Sequence, residues 1–205
     1  IIGTETPRAL ASATKDECLA AGGNYSSGSG GGILLGNYST LESTDSKING
    51  NYSGGAGGGI NAGGTSSNTN VTVKITGGEI CYNRANNNAG GLQVYSLKTC
   101  GSFVKNTKIQ NNHANGSGGA LSVTSGHYLK MENCTEVSGN SAGSVKGCYA
   151  AGSLTLIGNT YIEDGIYLNR NDTPLLLESD FALSGTNKIP LSYRTTESTQ
   201  FTTGN

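Results

Sequence analysis

The chain has 205 residues, a formal net charge of −1, 13% charged residues, 33 glycines and no tryptophan. Such a length suits one domain, and a near-neutral balance with no Lys/Arg stripe argues against nucleic acid as a partner. Disorder ordinarily joins low hydrophobicity to high net charge, and the second half of that signature is missing. No apolar run approaches the roughly 18 residues of a membrane-spanning helix; Leu175-Leu176-Leu177 is the longest purely aliphatic stretch. The chain starts at Ile1 with neither Met nor a signal peptide, which reads as a processed product or an excerpt.

Residues 1–29 form an N-terminal extension. Within them Thr14-Lys15-Asp16-Glu17 is a capping box that opens a short helix through Ala21, stopped by Gly22-Gly23. This helix is expected to cap the first coil of a solenoid. Gly3 to Ala13, with few apolar residues, is expected either to be disordered or to extend as a strand onto a neighbour's open edge.

Residues 30–160 carry a repeat. A Gly-Gly step before a small or aliphatic residue recurs at Gly31-Gly32-Ile33, Gly58-Gly59-Ile60, Gly90-Gly91-Leu92 and Gly118-Gly119-Ala120-Leu121, with Ala151-Gly152-Ser153-Leu154 as a degenerate fifth. From Gly32 through Gly59, Gly91 and Gly119 to Gly152 the steps are 27, 32, 28 and 33 residues. A second marker keeps time with it: an aliphatic residue stands three places before Asn in Ile48–Asn51, Ile80–Asn83, Ile109–Asn112 and Val137–Asn140. Two markers in phase are the signature of stacked units. Between them Val71–Ile75, Leu92–Val94, Leu121–Val123 and Leu154–Leu156 alternate with period two, so they are strands, and the Gly/Asn stretches are turns. Short strands in a unit of about thirty residues bury a face only by stacking on the next unit.

In residues 161–205 the Gly-Gly rhythm stops and apolar residues thicken around Ile162, Ile166, Leu168, Phe181 and Ile189. These read as terminal coils and a closing cap, with Pro190 interrupting further pairing and a polar tail after it.

The fold class expected is therefore all-β: a right-handed parallel β-helix, or solenoid, of about five coils with a short N-terminal capping helix. Gly-Gly-Ala-Leu at 118–121, the Gly-Gly-Ile steps and Phe103-Val104-Lys105-Asn106 resemble the GGA(I/L/V) and FxxN repeats of chlamydial polymorphic outer-membrane proteins, and of bacterial surface β-helices more widely. The resemblance implies a right-handed β-helix used in adhesion or surface architecture, hence a secreted or cell-surface location.

Candidate chemistry is sparse. Cys18, Cys81, Cys100, Cys134 and Cys148 fit no zinc spacing and are candidate disulfide cysteines of unknown pairing, or buried thiols. Asn24, Asn37, Asn51, Asn70, Asn115 and Asn171 head Asn-x-Ser/Thr triplets and are candidate N-glycosylation sites; Asn133 heads another but reads as part of a strand. Between Ser46 and Met131 only Glu79 is acidic, and the pairs Glu132/Glu136 and Glu163/Asp164 read as solvated carboxylates rather than a hydrolytic pair. His113 and His127 read as surface residues. Tyr25, Tyr38 and Tyr52 sit in Asn-Tyr-Ser triplets and read as turn aromatics packing on neighbouring coils rather than an exposed sugar ladder. No catalytic residue, metal site or cofactor is expected. The function expected is a non-enzymatic extracellular structural or adhesive solenoid, either a surface adhesin or a self-assembling filament or coat subunit. Its partners would be copies of itself, cell surfaces or glycans, and a carbohydrate-active β-helix enzyme is the alternative.

Overall fold

The computed structural model of the chain describes residues 2–3, 14–20, 22–63, 71–134, 136–169, 175–185 and 187–193. The period-two segments become strands of two to five residues, too short to bury a face alone, and each takes its partners from the next pass of the chain. Among the described residues all of the strand pairing is parallel, and it assembles four sheets. Sheet A holds Ile2–Gly3, Lys47–Asn49, Glu79–Cys81, Lys108–Gln110 and Val137–Ser138; sheet B holds Tyr25–Ser26, Tyr52–Ser53, Arg84–Ala85, His113–Ala114 and Ser141–Ala142. Sheet C has seven strands, Ile33–Leu35, Ile60–Ala62, Leu92–Val94, Leu121–Val123, Cys148–Ala150, Ile166–Leu168 and Leu191–Tyr193. Sheet D has six, Thr40–Thr44, Thr72–Thr76, Phe103–Lys105, Tyr128–Glu132, Ser153–Ile157 and Leu175–Leu177. The chain visits A, B, C and D in turn and returns to A one rung on, giving a parallel β-solenoid of about 6 turns rather than five.

The register turns the sequence repeat into vertical columns. In sheet A, Ile2, Ile48, Ile80, Ile109 and Val137 stack in line, and Val137 bridges to Ile162. In sheet C, Ile33, Ile60, Leu92, Leu121, Cys148 and Ile166 do the same. Sheet D adds Ile75, Val104, Met131 and Leu156. These columns meet in one continuous buried core. Sheet B faces that core with the small residues Ser53, Ala85 and Ala114, all fully buried.

The Gly-Gly steps lie at the entry to sheet C, where one coil's backbone rests on the next. A methyl on Gly58 would collide with the carbonyl oxygen of Gly90, and one on Gly90 with backbone atoms of Gly119 and His113. In the fifth coil the register pairs Leu121 with Cys148, so Lys146-Gly147 is the equivalent step. Ala151-Gly152-Ser153-Leu154, expected to fill that role, instead turns the corner into sheet D. The motif misleads there because Cys148 replaces the aliphatic residue that marks the other steps.

The helix forms as expected over Lys15–Ala20. Its capping box is reciprocal: the Thr14 N–H donates to Glu17 Oε2 (2.7 Å) and the Glu17 N–H to Thr14 Oγ1 (3.3 Å). Cys18 is its buried residue and donates from Sγ to the Gly50 carbonyl at 3.2 Å, seating the helix on the first turns. Ile2–Gly3 adds to the edge of sheet A in its own molecule. Gly3 to Ala13 otherwise lies outside the described residues, as does the polar tail. Pro190 does not end the pairing: its carbonyl accepts from Ile166 N–H at 2.8 Å, and Leu191–Tyr193 continues sheet C. Proline lacks a donor but keeps its acceptor, which is all that this rung requires.

Candidate ligand-binding face

The aliphatic-x-x-Asn marker proves to be an internal ladder. Asn51, Asn83, Asn112 and Asn140 are each at most 3% exposed and point into the corner between sheets A and B. Each Nδ2 donates to the Oδ1 of the next: Asn24 to Asn51 (3.2 Å), Asn51 to Asn83 (2.9 Å), Asn83 to Asn112 (3.0 Å) and Asn112 to Asn140 (3.0 Å). Asn140 hands on to Asp164 Oδ2 at 2.8 Å, so a carboxylate closes the row of amides. The second Nδ2 hydrogen of Asn83, Asn112 and Asn140 goes to the carbonyl of Ile48, Ile80 and Ile109. Every buried amide in the row is satisfied on both sides, as a buried polar group must be.

That ladder fixes what faces solvent. The residue after each ladder Asn begins a sheet B strand and points outward, forming the column Tyr25, Tyr52, Arg84, His113 and Ser141 in register. Tyr25 and Tyr52 pack ring on ring at 5.5 Å, with Lys15 Nζ 4.7 Å from the Tyr25 centroid and the Arg84 guanidinium 6.0 Å from that of Tyr52. These two tyrosines therefore pack on neighbouring coils, as expected, and their outward edges carry the hydroxyls. Arg84 Nη2 donates to Asn115 Oδ1 (2.8 Å), Asn115 Nδ2 to Asn86 Oδ1 (3.2 Å), and the Tyr52 hydroxyl to Asn86 Oδ1 (2.7 Å). His113 Nδ1 lies 2.9 Å from Ser141 Oγ, and Nε2 lies 3.1 Å from Asn115 Oδ1. Burial and the Arg84 charge hold the imidazole below the usual histidine range.

The loops leaving sheet B stack beside this column and extend the same chemistry: Ser117 Oγ meets Ser144 Oγ at 2.7 Å, and Asn88 Oδ1 accepts from the Ser117 N–H. Neither the sheet B strands nor these loops contain an Asp or Glu. Four carboxylates sit instead in ion pairs that climb sheets A and D: Lys47–Glu79, Lys108–Glu136, Glu42–Lys74 and Lys105–Glu132. Sheet B and its loops thus present amides, hydroxyls and cations without acid, whereas sheets A and D carry Lys/Glu ion pairs. Beyond Ser144 the acid-free face runs into a groove of about 700 Å³ lined by Lys146, Tyr149, Asp164, Tyr167 and Asn169. Tyr149 and Tyr167 stack there at 5.8 Å with planes 13° apart.

The remaining candidate residues scatter. Glu132 and Glu136, expected to be solvated, pair separately with Lys105 and Lys108; Glu163 is exposed and Asp164 ends the ladder. His127 is buried, against the expectation of a surface residue: its ring meets Tyr95 edge-on at 5.6 Å and its Nδ1 lies 2.9 Å from the Ser125 carbonyl. All five cysteines are free thiols, four of them buried and Cys100 half-buried. Asn37 and Asn115 are exposed; Asn24 is exposed with its amide on the ladder; Asn51 is 1% exposed, inside it. Asn70 and Asn171 lie outside the described residues. Asn133 sits not in a strand but in the corner after Tyr128–Glu132, at φ 51°, where Asn tolerates the left-handed region. Tyr38, at 76% exposure, stands out at a corner, against the expectation that it packs on a neighbouring coil. Among the described residues no three potential metal ligands cluster, and no helix is long and apolar enough to cross a membrane.

No family model, no curated protein and no solved structure matches the chain. The repeat resemblance therefore stands on its motif residues alone, and what is established is the parallel solenoid itself.

Proposed function

We propose that this chain is a non-enzymatic structural or adhesive solenoid of the cell exterior, whose work is to hold polar side chains at fixed spacing against a partner's surface. The observation that carries this reading is the acid-free face: Tyr52, Arg84, His113 and Ser141 lie in register, fixed from behind by the asparagine ladder. Strand stacking repeats these groups about every 4.8 Å, a spacing suited to a partner that is itself repetitive. Asparagine, serine and tyrosine supply adaptable hydrogen bonds with little side-chain entropy to lose. Beads coated with the full chain should adhere to a panel of immobilised polysaccharides without releasing new reducing ends. Chain cleavage abolished by a single carboxylate substitution would contradict the proposal and make the protein a carbohydrate-active enzyme.

A second version, end-to-end assembly, is supported by the apolar residues at the two extremes of sheets C and D. Leu34 is 62% exposed at one extreme, and Leu177 and Leu191 are 57% and 46% exposed at the other. Strand edges with exposed leucines recruit further strands, and head-to-tail contacts that do not close give fibres. Fibres in electron micrographs and a rising mass in light scattering are its expected results; a monomer at high concentration would dismiss it.

A further inference from the structure

We infer that the groove at the last rungs of sheet C binds a neutral sugar chain, a β-linked glucan segment whose flat pyranose ring stacks on Tyr167 above Ser192. The inference rests on the adhesive reading and narrows its partner to a chemical class. Register is the first argument. Tyr149 and Tyr167 are paired positions of consecutive rungs, and their rings stack at 5.8 Å with planes 13° apart. The same outward column continues to Ser122 on one side and to Ser192 on the other. A serine is too short to cover a ring, so the column offers no third ring to the far face of Tyr167. Tyr167 and Ser192 both line the groove of about 700 Å³, a volume within the range of small-ligand sites. The negative face of an aromatic ring attracts polarised C–H groups. A β-glucose unit, with every hydroxyl equatorial, turns axial C–H groups to both of its faces and meets that requirement.

The polar lining is the second argument. Lys146 and Asp164 each stand two residues before the paired Cys148 and Ile166, so consecutive rungs bring a donor-only and an acceptor-only side chain to the same groove. Asp164 is oriented before any ligand arrives, because the backbone N–H and the side-chain amide of Asn140 both donate to its Oδ2 (2.9 and 2.8 Å). Asn169 adds an amide that donates and accepts. Hydroxyls do both as well, so a polyol can serve ammonium, carboxylate and amide together. A uronate would set its charge against Asp164, and an amino sugar would set its own against Lys146, which favours a neutral chain. Asp164 is the one carboxylate lining the groove, whereas glycoside hydrolysis ordinarily uses two, and this fits binding without cleavage.

The test titrates the full chain calorimetrically with cellohexaose and with a β-linked oligoglucuronate of equal length, at two salt concentrations. Cellohexaose should bind the more tightly of the two, with little dependence on salt. Tyr167→Leu keeps an apolar side chain but removes the flat face, and should weaken cellohexaose about tenfold; Tyr167→Phe should retain the binding. Ser192→Phe, made at an exposed position, fills the space over Tyr167 and should block the sugar with the fold intact. Tyr38→Ala, at the opposite end of the solenoid, should change nothing. Circular dichroism on each variant guards against misfolding. Cellohexaose binding that survives both Tyr167→Leu and Ser192→Phe would overturn the inference and leave the adhesive reading standing. So would a chain that ignores cellohexaose while its beads adhere to another polysaccharide. A uronate bound more tightly than cellohexaose would overturn the assignment to a neutral sugar. Binding of neither probe, with beads that adhere to no polysaccharide, would remove both.

Discussion

Asn112 holds the middle of the ladder and answers for four hydrogen bonds. Its Nδ2 serves Ile80 and Asn140, and its Oδ1 accepts from the Asn83 side chain and backbone. Asn112→Ala strands these partners where water cannot reach, each at about 1–3 kcal/mol. The expected loss is at least about 2 kcal/mol in denaturant unfolding, whereas Asn37→Ala, exposed at a turn, should change stability by less than about 0.5 kcal/mol. The thiols give a second prediction. Burial pushes Cys81 up to about 12 and Cys134 up to about 11, and raises Cys148 as well. Thiolate is the reactive form, so iodoacetamide should label half-buried Cys100 first and the other four only after unfolding. A native mass short of the hydrogens of one or two thiol pairs would contradict the free-thiol state. His113 provides a third. Its folded pKa lies below the ordinary histidine value of 6.5, so on acidification the unfolded chain takes the proton first. Stability is full above that value, declines as pH falls through it toward the folded value, and then levels; His113→Gln should remove this step from a plot of unfolding midpoint against pH.

The strands and corners are where the sequence can be compared with the fold. The spacing of Ile48–Asn51, Ile80–Asn83, Ile109–Asn112 and Val137–Asn140 is fully legible, because the inward aliphatic and the ladder Asn are both buried positions that tolerate little else. The helix is legible for a similar reason, since a capping box is a local device. The outward column is hidden in the sequence, although its members follow each ladder Asn by one residue. Tyr, Arg, His and Ser share no property that a repeat search detects, and what joins them is register alone. The last turns are illegible because their lengths change: Asn140 to Asp164 spans 24 residues against 28 to 32 for the three ladder steps before it. The glycine corners supply the prediction at this scale. Gly58→Ala sets a methyl against backbone atoms of Gly90 and Arg84, which cannot swing aside. It should destabilise by about 3 kcal/mol or more, whereas Gly101→Ala, with open space but φ 64°, should lose only the smaller strain of a left-handed residue, about 1–2 kcal/mol.

At the scale of the whole molecule, the four sheets divide the labour. Sheets A and D carry Lys/Glu rungs whose exposed pairs contribute about 0–1 kcal/mol each. Sheet B and its stacked loops are spared any carboxylate, and the row of amides behind them holds the spacing rigid. Since the ladder is internal and the column external, one repeat serves stability and presentation together. The most direct test of that division is a chemical-shift map of the isotopically labelled full chain titrated with a soluble fragment of a polysaccharide to which the coated beads adhere. Perturbations gathered on Arg84, His113, Asn115, Lys146 and Tyr149, with the Glu79 and Lys74 rungs unmoved, are the predicted result. Perturbations gathered on sheets A and D instead would contradict it.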